Sequence, residues 1–482
     1  MARYDYDIGI IGGGAAGLTI AAGAAQAGAK VLLVEKESRL GGDCLHYGCV
    51  PSKTLIRTSQ VYHLMKNAGR FGLPATELQR PDFRKISARI QSVIGTIQKH
   101  DSEERFCSLG AKVEFGQATF VDDHFISLNG KNHSAKNWVI ATGSSAAIPP
   151  IEGLKETPYI TNREVFSLEK LPTSMVIVGG GPIGIELAQA FTRLGTKVTV
   201  VEFLPQILNA DDTDMTDMIL DVLKSEGVEF HLNSAVQSMR DLGPEKEVTF
   251  KTGEVIKYIK AETILVATGR KVNLEGLGLE GIKVTFDRKG LKLDEKLRTT
   301  QSHIYGAGDV TGVYQFTHAA GYEGGVVLSN AIFHFPRKVN YTFLPWVTYT
   351  DPELACIGLN EKTANAKGIS YTVWTEAFEN NDRSLAEGER IGKIKMLLDE
   401  KEKPMGVQIL GPHAGDLISE WVAVMNGSVK ISTLASAVHP YPTLGEINKR
   451  VAGNFMATKI FSPTVKKTLK FFFNLKGRAC GN

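Results

Sequence analysis

One segment of this chain is written twice. IGIIGGGAAGLTIAAGAAQAGAKVLLVEKE, from Ile8, lies on MVIVGGGPIGIELAQAFTRLGTKVTVVEFL, from Met175, without a gap. Gly12, Gly14, Gly17, Gly28, Lys30 and Glu35 then meet Gly179, Gly181, Gly184, Gly195, Lys197 and Glu202. Each copy reads as a short apolar strand, a glycine turn, a helix ending near Gly28 or Gly195, and a second strand closed by a glutamate. That is the pattern of a dinucleotide-binding βαβ unit. Its first glycine permits the tight turn, its second lets backbone N–H groups approach a pyrophosphate, and its third lets helix and strand pack closely. The helix N-terminus adds unpaired N–H groups and a partial positive charge, and the terminal carboxylate can accept from both ribose hydroxyls. A lone GxGxxG is weak; two copies in step predict two dinucleotide sites.

Around this repeat the bounds are ordinary. A chain of 482 residues is too long for one core and predicts two to four domains. Five cysteines are too few for a disulfide framework, and nothing at the N-terminus resembles a signal peptide. No apolar run approaches the roughly 18 residues that span a bilayer. The expected setting is the cytoplasm, with reduced thiols. The formal net charge of +3 misleads, because eight Lys or Arg and no acid follow Glu446. The remainder carries 47 basic against 52 acidic residues, which argues against nucleic-acid affinity.

The order GGGAAG, GGDCLHYGCVPSK, VIATG, GGGPIGIE, ILVATGR and IYGAGDV resembles the flavoprotein disulfide reductases, over nearly the whole chain. The resemblance implies an α/β chain with two Rossmann-type domains, for FAD and NAD, plus an α+β dimerisation domain. The implied division is 1–150 with 275–345 for FAD, 151–274 for the pyridine nucleotide, 346–461 for dimerisation, and a basic tail at 462–482. FAD would rest on Gly12, Gly14, Gly17, Glu35, Gly42, Lys53, Thr142, Gly143, Asp309 and His318. The nucleotide would rest on Gly179, Gly181, Gly184, Glu202 and Gly269. At that second site a 2′-phosphate would face the Glu202 carboxylate with no arginine close behind it, so NADH is expected over NADPH.

Cys44 and Cys49 could be a metal clip, a staple or a redox pair. No third and fourth ligand lies nearby for a closed zinc site, so no metal is expected. A staple closing so few residues would gain little in a reducing compartment. A redox pair needs its sulfurs within bridging distance, which a regular helix does not give at i, i+5. Gly48 and Pro51 suit a distorted first turn that folds them together, and a helix N-terminus lowers a thiolate pKa. The redox reading is the favoured one. The resemblance makes Cys49 the thiolate next to the flavin and Cys44 the thiol that meets substrate. It also pairs Lys53 with Glu186 at the flavin edge. Cys107 and Cys356 read as inert core thiols.

The family's disulfide-reducing members end in His-Pro-Thr-x-x-Glu, a histidine base steered by the glutamate. This chain has VHPYPTLGE, which puts Tyr441 where the histidine belongs, ahead of Glu446. A phenol of pKa near 10 is a poor proton shuttle at neutral pH; His439, two residues upstream, is the candidate substitute. Tyrosine there resembles the mercuric-reductase branch, whose metal–thiolate substrate needs ligand exchange rather than a strong base. Three features separate this chain from that branch: no CxxC metal-carrying segment precedes the repeat, Glu202 is acidic, and the tail has only Cys480 in place of a vicinal pair. The expected acceptor is a thiol or disulfide, a polysulfide or a thiol-bound metal. The expected assembly is a homodimer with composite sites. Dihydrolipoyl dehydrogenase, or an electron donor docked on a membrane, is the alternative. Ser462-Pro463 predicts a helix start, with Val465, Leu469, Phe471, Phe472, Phe473 and Leu475 on one arc and Lys466, Lys467, Lys470 and Asn474 opposite. Such a helix suits either an anionic membrane interface at the inner face or packing on its own dimer with the lysines in water.

Overall fold

The computed structural model describes residues 4–480. These residues form two compact units, one of residues 4–207 with 223–340 and one of residues 208–222 with 341–480.

The first unit contains the duplication as two parallel sheets. In one, Ala111–Phe115, Val31–Glu35, Tyr6–Ile11 and Lys131–Ile140 run side by side, with Ile304–Gly306 parallel to the last. In the other, the order is Glu229–His231, Lys197–Val201, Ser174–Val178 and Thr263–Val266, all parallel. The duplication reaches the strand register: Ile8 pairs Val31 and Ile11 pairs Val34, as Met175 pairs Val198 and Val178 pairs Val201. Strands covered on both faces need apolar side chains throughout, and Ile8, Ile10, Leu32 and Leu33 are fully buried, as are Val176, Ile177, Val198 and Val200. Helices Ala15–Gln26 and Pro182–Leu194 open directly from the glycine turns. A three-stranded antiparallel sheet of Ser234–Asp241, Lys246–Thr252 and Val255–Ala261 accompanies the second copy. Ser144–Ala146 and Arg270–Val272 pair antiparallel.

The second unit is α+β. Its antiparallel sheet orders Pro345–Thr348, Glu353–Gly358, Pro404–Gly411, Lys393–Leu398 and Thr372–Ala377. Trp421 of helix Ala414–Asn426 and Phe455 of helix Glu446–Ile460 join its core.

Residues 208–222, inside the stretch read as nucleotide-binding, belong to this second unit. The reason is electrostatic: Lys395, 1 % exposed, ion-pairs with Asp212 at 2.8 Å, Asp214 at 2.6 Å and Glu361 at 2.8 Å. Trp346 Nε1 donates to Asp211 at 2.9 Å. No helix among the described residues is long and apolar enough to cross a membrane.

Candidate active site

Both glycine turns are built by the same contacts. Gly12 and Gly179 have φ of 115° and 114°, values that glycine alone adopts readily. A Cβ on Gly12 would lie 2.2 Å from the Ala141 carbonyl oxygen, and one on Gly179 2.4 Å from that of Ala267. On Gly17 and Gly184 it would meet the carbonyl oxygens of Gly12 and Gly179 at 1.9 and 2.1 Å. The middle glycines differ: a Cβ on Gly181 would meet nothing within 4 Å, and one on Gly14 only Gly42 Cα at 3.8 Å. Their neighbourhood is an open cradle at a helix N-terminus, the shape a pyrophosphate fills. Gly42 backs directly on the first cradle, since its own Cβ would come within 2.7 Å of Gly14 Cα.

The strand-end carboxylates are buried and aimed by backbone. Glu35 accepts from the N–H of Gly13 at 2.7 Å and of Glu37 at 2.8 Å. Glu202 accepts likewise from Gly180 and, at 2.7 Å, from Leu204. Each carboxylate keeps acceptor capacity for ribose hydroxyls. The residues of both turns therefore fit a dinucleotide.

The two cysteines occupy two helices rather than one distorted turn. Cys44 lies in Gly42–His46 and Cys49 opens Cys49–Lys66, with the break at Tyr47 and Gly48. A Cβ on Gly48 would lie 3.0 Å from the Asp43 oxygen and 3.2 Å from Cys44 Cα, so the residue between them lets the chain double back. Both cysteines are free thiols, the dithiol form of the pair. The Cys44 thiol donates to Cys49, which pulls Cys49 down to about 6; the Thr317 hydroxyl, 3.6 Å from its sulfur, and the nearby Lys53 charge act in the same direction. The same hydrogen bond, and then burial, push the Cys44 thiol up. One sulfur is thus held as the anion and its partner as the proton carrier. Lys53 donates to Glu186 at 2.8 Å, with the glutamate side chain 6 % exposed. That buried carboxylate needs such a cation, since an unpaired one costs several kcal/mol to desolvate.

Around the thiols the structure adds residues that the sequence did not single out. Thr317, first residue of helix Thr317–Ala331, reaches Cys49 from a position 268 residues away in the chain. Arg270, last residue of the quoted ILVATGR, donates through Nη2 to Asp43 at 2.9 Å and through Nε to Ser144 Oγ at 2.7 Å. Ser144 in turn donates to Asp309, whose carboxyl burial pushes up. Asp43 precedes Cys44, so Arg270 ties the cysteine-bearing turn to Asp309. Thr142 Oγ1 donates to the Asn273 oxygen at 2.5 Å, and the Gly143 oxygen accepts from Asn273 N at 2.9 Å. The Gly269 oxygen accepts from Ala147 N at 2.9 Å. The His318 ring stacks on Phe316, centroids 5.3 Å apart.

In the second unit Tyr441 and His439 of VHPYPTLGE each take a separate partner. Tyr441 O–H donates to Asp382 at 2.9 Å, which pushes its phenol up. His439 Nε2 lies 2.9 Å from Glu420 Oε1 and its Nδ1 3.4 Å from the Ala437 oxygen. Glu420 also accepts from Asn448, itself bonded to Trp421. Glu446 Oε2 is buried without a hydrogen-bond partner. Glu420, not Glu446, therefore steers the histidine. The expectation of two core thiols needs one correction: Cys356 is buried, donating to Asp211 at 3.3 Å, whereas Cys107 is exposed. In the short helix Glu103–Ser108 it is Phe106 that turns inward.

Two family descriptions cover this architecture. "Pyridine nucleotide-disulphide oxidoreductase" matches residues 6–324, and the dimerisation domain of the same family matches residues 344–452. The chain belongs to this family. Mercuric reductase of Staphylococcus aureus is 33 % identical over 453 residues, 94 % of this chain and 82 % of that one. Dihydrolipoyl dehydrogenase of Bacillus subtilis (strain 168) is 34 % identical over 444 residues, 91 % of this chain and 96 % of that one. The Cu(II) complex of the HOCl-induced flavoprotein disulfide reductase RclA from Escherichia coli superposes with a TM-score of 0.83 at 26 % identity, covering 94 % of this chain and 100 % of that one. The pyridine nucleotide–disulphide oxidoreductase described here is accordingly an enzyme that uses FAD, a pyridine nucleotide and a redox disulfide, and it carries the family's dimerisation domain.

Proposed function

We propose that the enzyme takes its electrons from NADH and delivers them through Cys44 and Cys49 to a thiol-bound soft metal ion or a polysulfide, in the manner of the mercuric-reductase branch. FAD, when bound, relays two electrons between the nicotinamide and the cysteine pair. Gly14, Gly42, Glu35 and Asp309 would hold it, with Lys53 and Glu186 at its reactive edge. Gly181, Gly184 and Glu202 would hold the nucleotide, and the Glu202 carboxylate would repel a 2′-phosphate. The domain limits read from the sequence, except that residues 208–222 fold with the second unit, and a homodimer whose C-terminal loops complete each other's sites, belong to the same proposal. So does work in a reducing cytoplasm.

The observation that carries the acceptor reading is the state of the protons. The dithiol form stores one proton, on Cys44, while Cys49 is an anion near neutral pH. Turning an organic disulfide into two thiols needs two protons, so a second acid must serve the site. Tyr441 is tied to Asp382 as a weaker acid than a free phenol, and both ring nitrogens of His439 have partners. A thiol-bound metal asks for less: Cys44 binds the metal as its proton passes to the displaced thiolate.

The test is NADH oxidation by the purified enzyme with lipoamide and, in parallel, with mercuric ion in excess thiol. Turnover with the metal and slow turnover with lipoamide is expected. Tyr441→His should raise the lipoamide rate. Fast lipoamide turnover by the unmodified enzyme would overturn the reading and return it to the dihydrolipoyl dehydrogenases.

A further inference from the structure

Beyond residue 452, where the match to the dimerisation domain ends, the chain continues into helix Pro463–Phe473. Ser462 caps it, accepting from Val465 N–H at 3.4 Å, and Pro463 takes its first turn. None of its residues is buried. Phe471, Phe472 and Phe473 are 81, 72 and 68 % exposed. Three consecutive phenylalanines in water are a costly surface unless something apolar receives them.

The charges indicate what receives them. At about 100° per residue, Lys466, Lys467 and Lys470 fall within one arc of roughly 100°, and every Phe, with Val465 and Leu469, lies outside it. None of these three lysines has a carboxylate partner among the described residues. Lys476 and Arg478 follow, and no acid occurs after Glu446. The helix stops at Asn474, which has a φ of 49°, so Leu475 and the last two cations continue off its end rather than around its wheel. Ile460 and Phe461, which close the preceding helix just ahead of Ser462, are 50 and 60 % exposed. A deep apolar groove on a protein would take the phenylalanines but has no use for Lys466, Lys467 and Lys470 in a row beside them. A bilayer rich in anionic lipid takes both at one depth, rings among the acyl chains and ammonium groups among the phosphates.

We infer that residues 460–478 form a peripheral anchor for an anionic lipid surface. The rest of the enzyme, with 47 basic against 52 acidic residues ahead of the basic run, is repelled by such a surface, so the contact is made by the tail. In a homodimer the anchor is doubled, and the two copies act with a shared effective concentration. The inference rests on the tail alone and is independent of the acceptor.

The test uses full-length FAD-loaded enzyme and sedimentation with vesicles of phosphatidylcholine alone or with 30 % phosphatidylglycerol. Binding only to the anionic vesicles, weakened by salt, is expected. Replacing Lys466, Lys467 and Lys470 together with Gln should lower partition about fivefold per residue, roughly a hundredfold in all. F471S/F472S/F473S should abolish it while NADH oxidation and FAD content persist. A truncation at residue 461 gives the same reading if it folds, and the triple serine variant serves if it does not. Equal binding to both vesicle types, no binding at low salt, or a serine variant that binds as well as the parent would each overturn the anchor. If that variant instead dissociates the homodimer and vesicles never bound the parent, the face is a contact between two copies.

Discussion

Thr317→Val isolates one interaction, the hydroxyl 3.6 Å from Cys49 Sγ, and leaves shape nearly unchanged. A hydrogen bond to a charged group contributes about 1.5–3 kcal/mol, and one pKa unit is about 1.36 kcal/mol. This contact is long for its kind, so the lower end applies and the shift is about one unit upward. Cys49 stands at about 6; the variant should titrate near about 7. At pH 6.5 its thiolate fraction would then fall from about three-quarters to about one-quarter. The sign is fixed by the direction of the shift: a lowered thiol is an anion above its pKa, so the parent loses the thiolate as the pH falls through about 6. The assay is the two-electron-reduced enzyme titrated from pH 5 to 9, following the long-wavelength absorbance that a thiolate gives beside oxidised flavin. Thr317→Ser, which keeps the hydroxyl, is the control and should titrate with the parent. A valine variant within 0.3 unit of the parent, or a serine variant shifted as far as the valine, would refute the hydrogen bond as cause.

Three further outcomes are expected. Lys395→Met leaves Asp212, Asp214 and Glu361 facing one another without their cation; a loss of about 3–5 kcal/mol should appear as a lowered urea midpoint. Gly184→Ala should abolish nucleotide binding yet keep the flavin, and Gly17→Ala should do the reverse, since each new methyl meets its own turn's carbonyl oxygen; calorimetry with the nucleotide and flavin absorbance after gel filtration separate the two. Glu202→Ala removes the charge that a 2′-phosphate would face, so kcat/KM for NADPH should rise relative to NADH, and an unchanged ratio would place the discrimination elsewhere.

What the sequence revealed and what it hid follow from distance along the chain. The glycine turns, the strand-end acids and the strand–helix–strand order of both copies were legible because each is set by residues within about thirty positions of one another. The cysteine pair was legible for the same reason, although its two-helix geometry needed the contact between Gly48 and Cys44. Lys53 and Glu186 were matched through the resemblance, and the ion pair is present. Thr317 and Arg270 were hidden because their partners come from remote segments, and a threonine opening a helix or an arginine after a glycine carries no local sign of what it will meet. Cys107 shows the smaller failure: in a six-residue helix the apolar pattern is too short to say which side faces in. His439 could be proposed as a base, but its latch to Glu420 lies in three dimensions alone.

Lys395 has one more consequence, and it concerns time. Asp214 leaves the ribosome 181 residues before the lysine that neutralises it, which at typical synthesis rates is on the order of ten to forty seconds. Until then Asp211, Asp212 and Asp214 form a cluster of like charge with nothing to close on, in the middle of a segment whose neighbours on both sides already have strands to join. The second nucleotide fold must therefore be born with an open loop. A nascent chain stalled before Lys395 should be cut by protease near residues 208–222, and one stalled well beyond it should not.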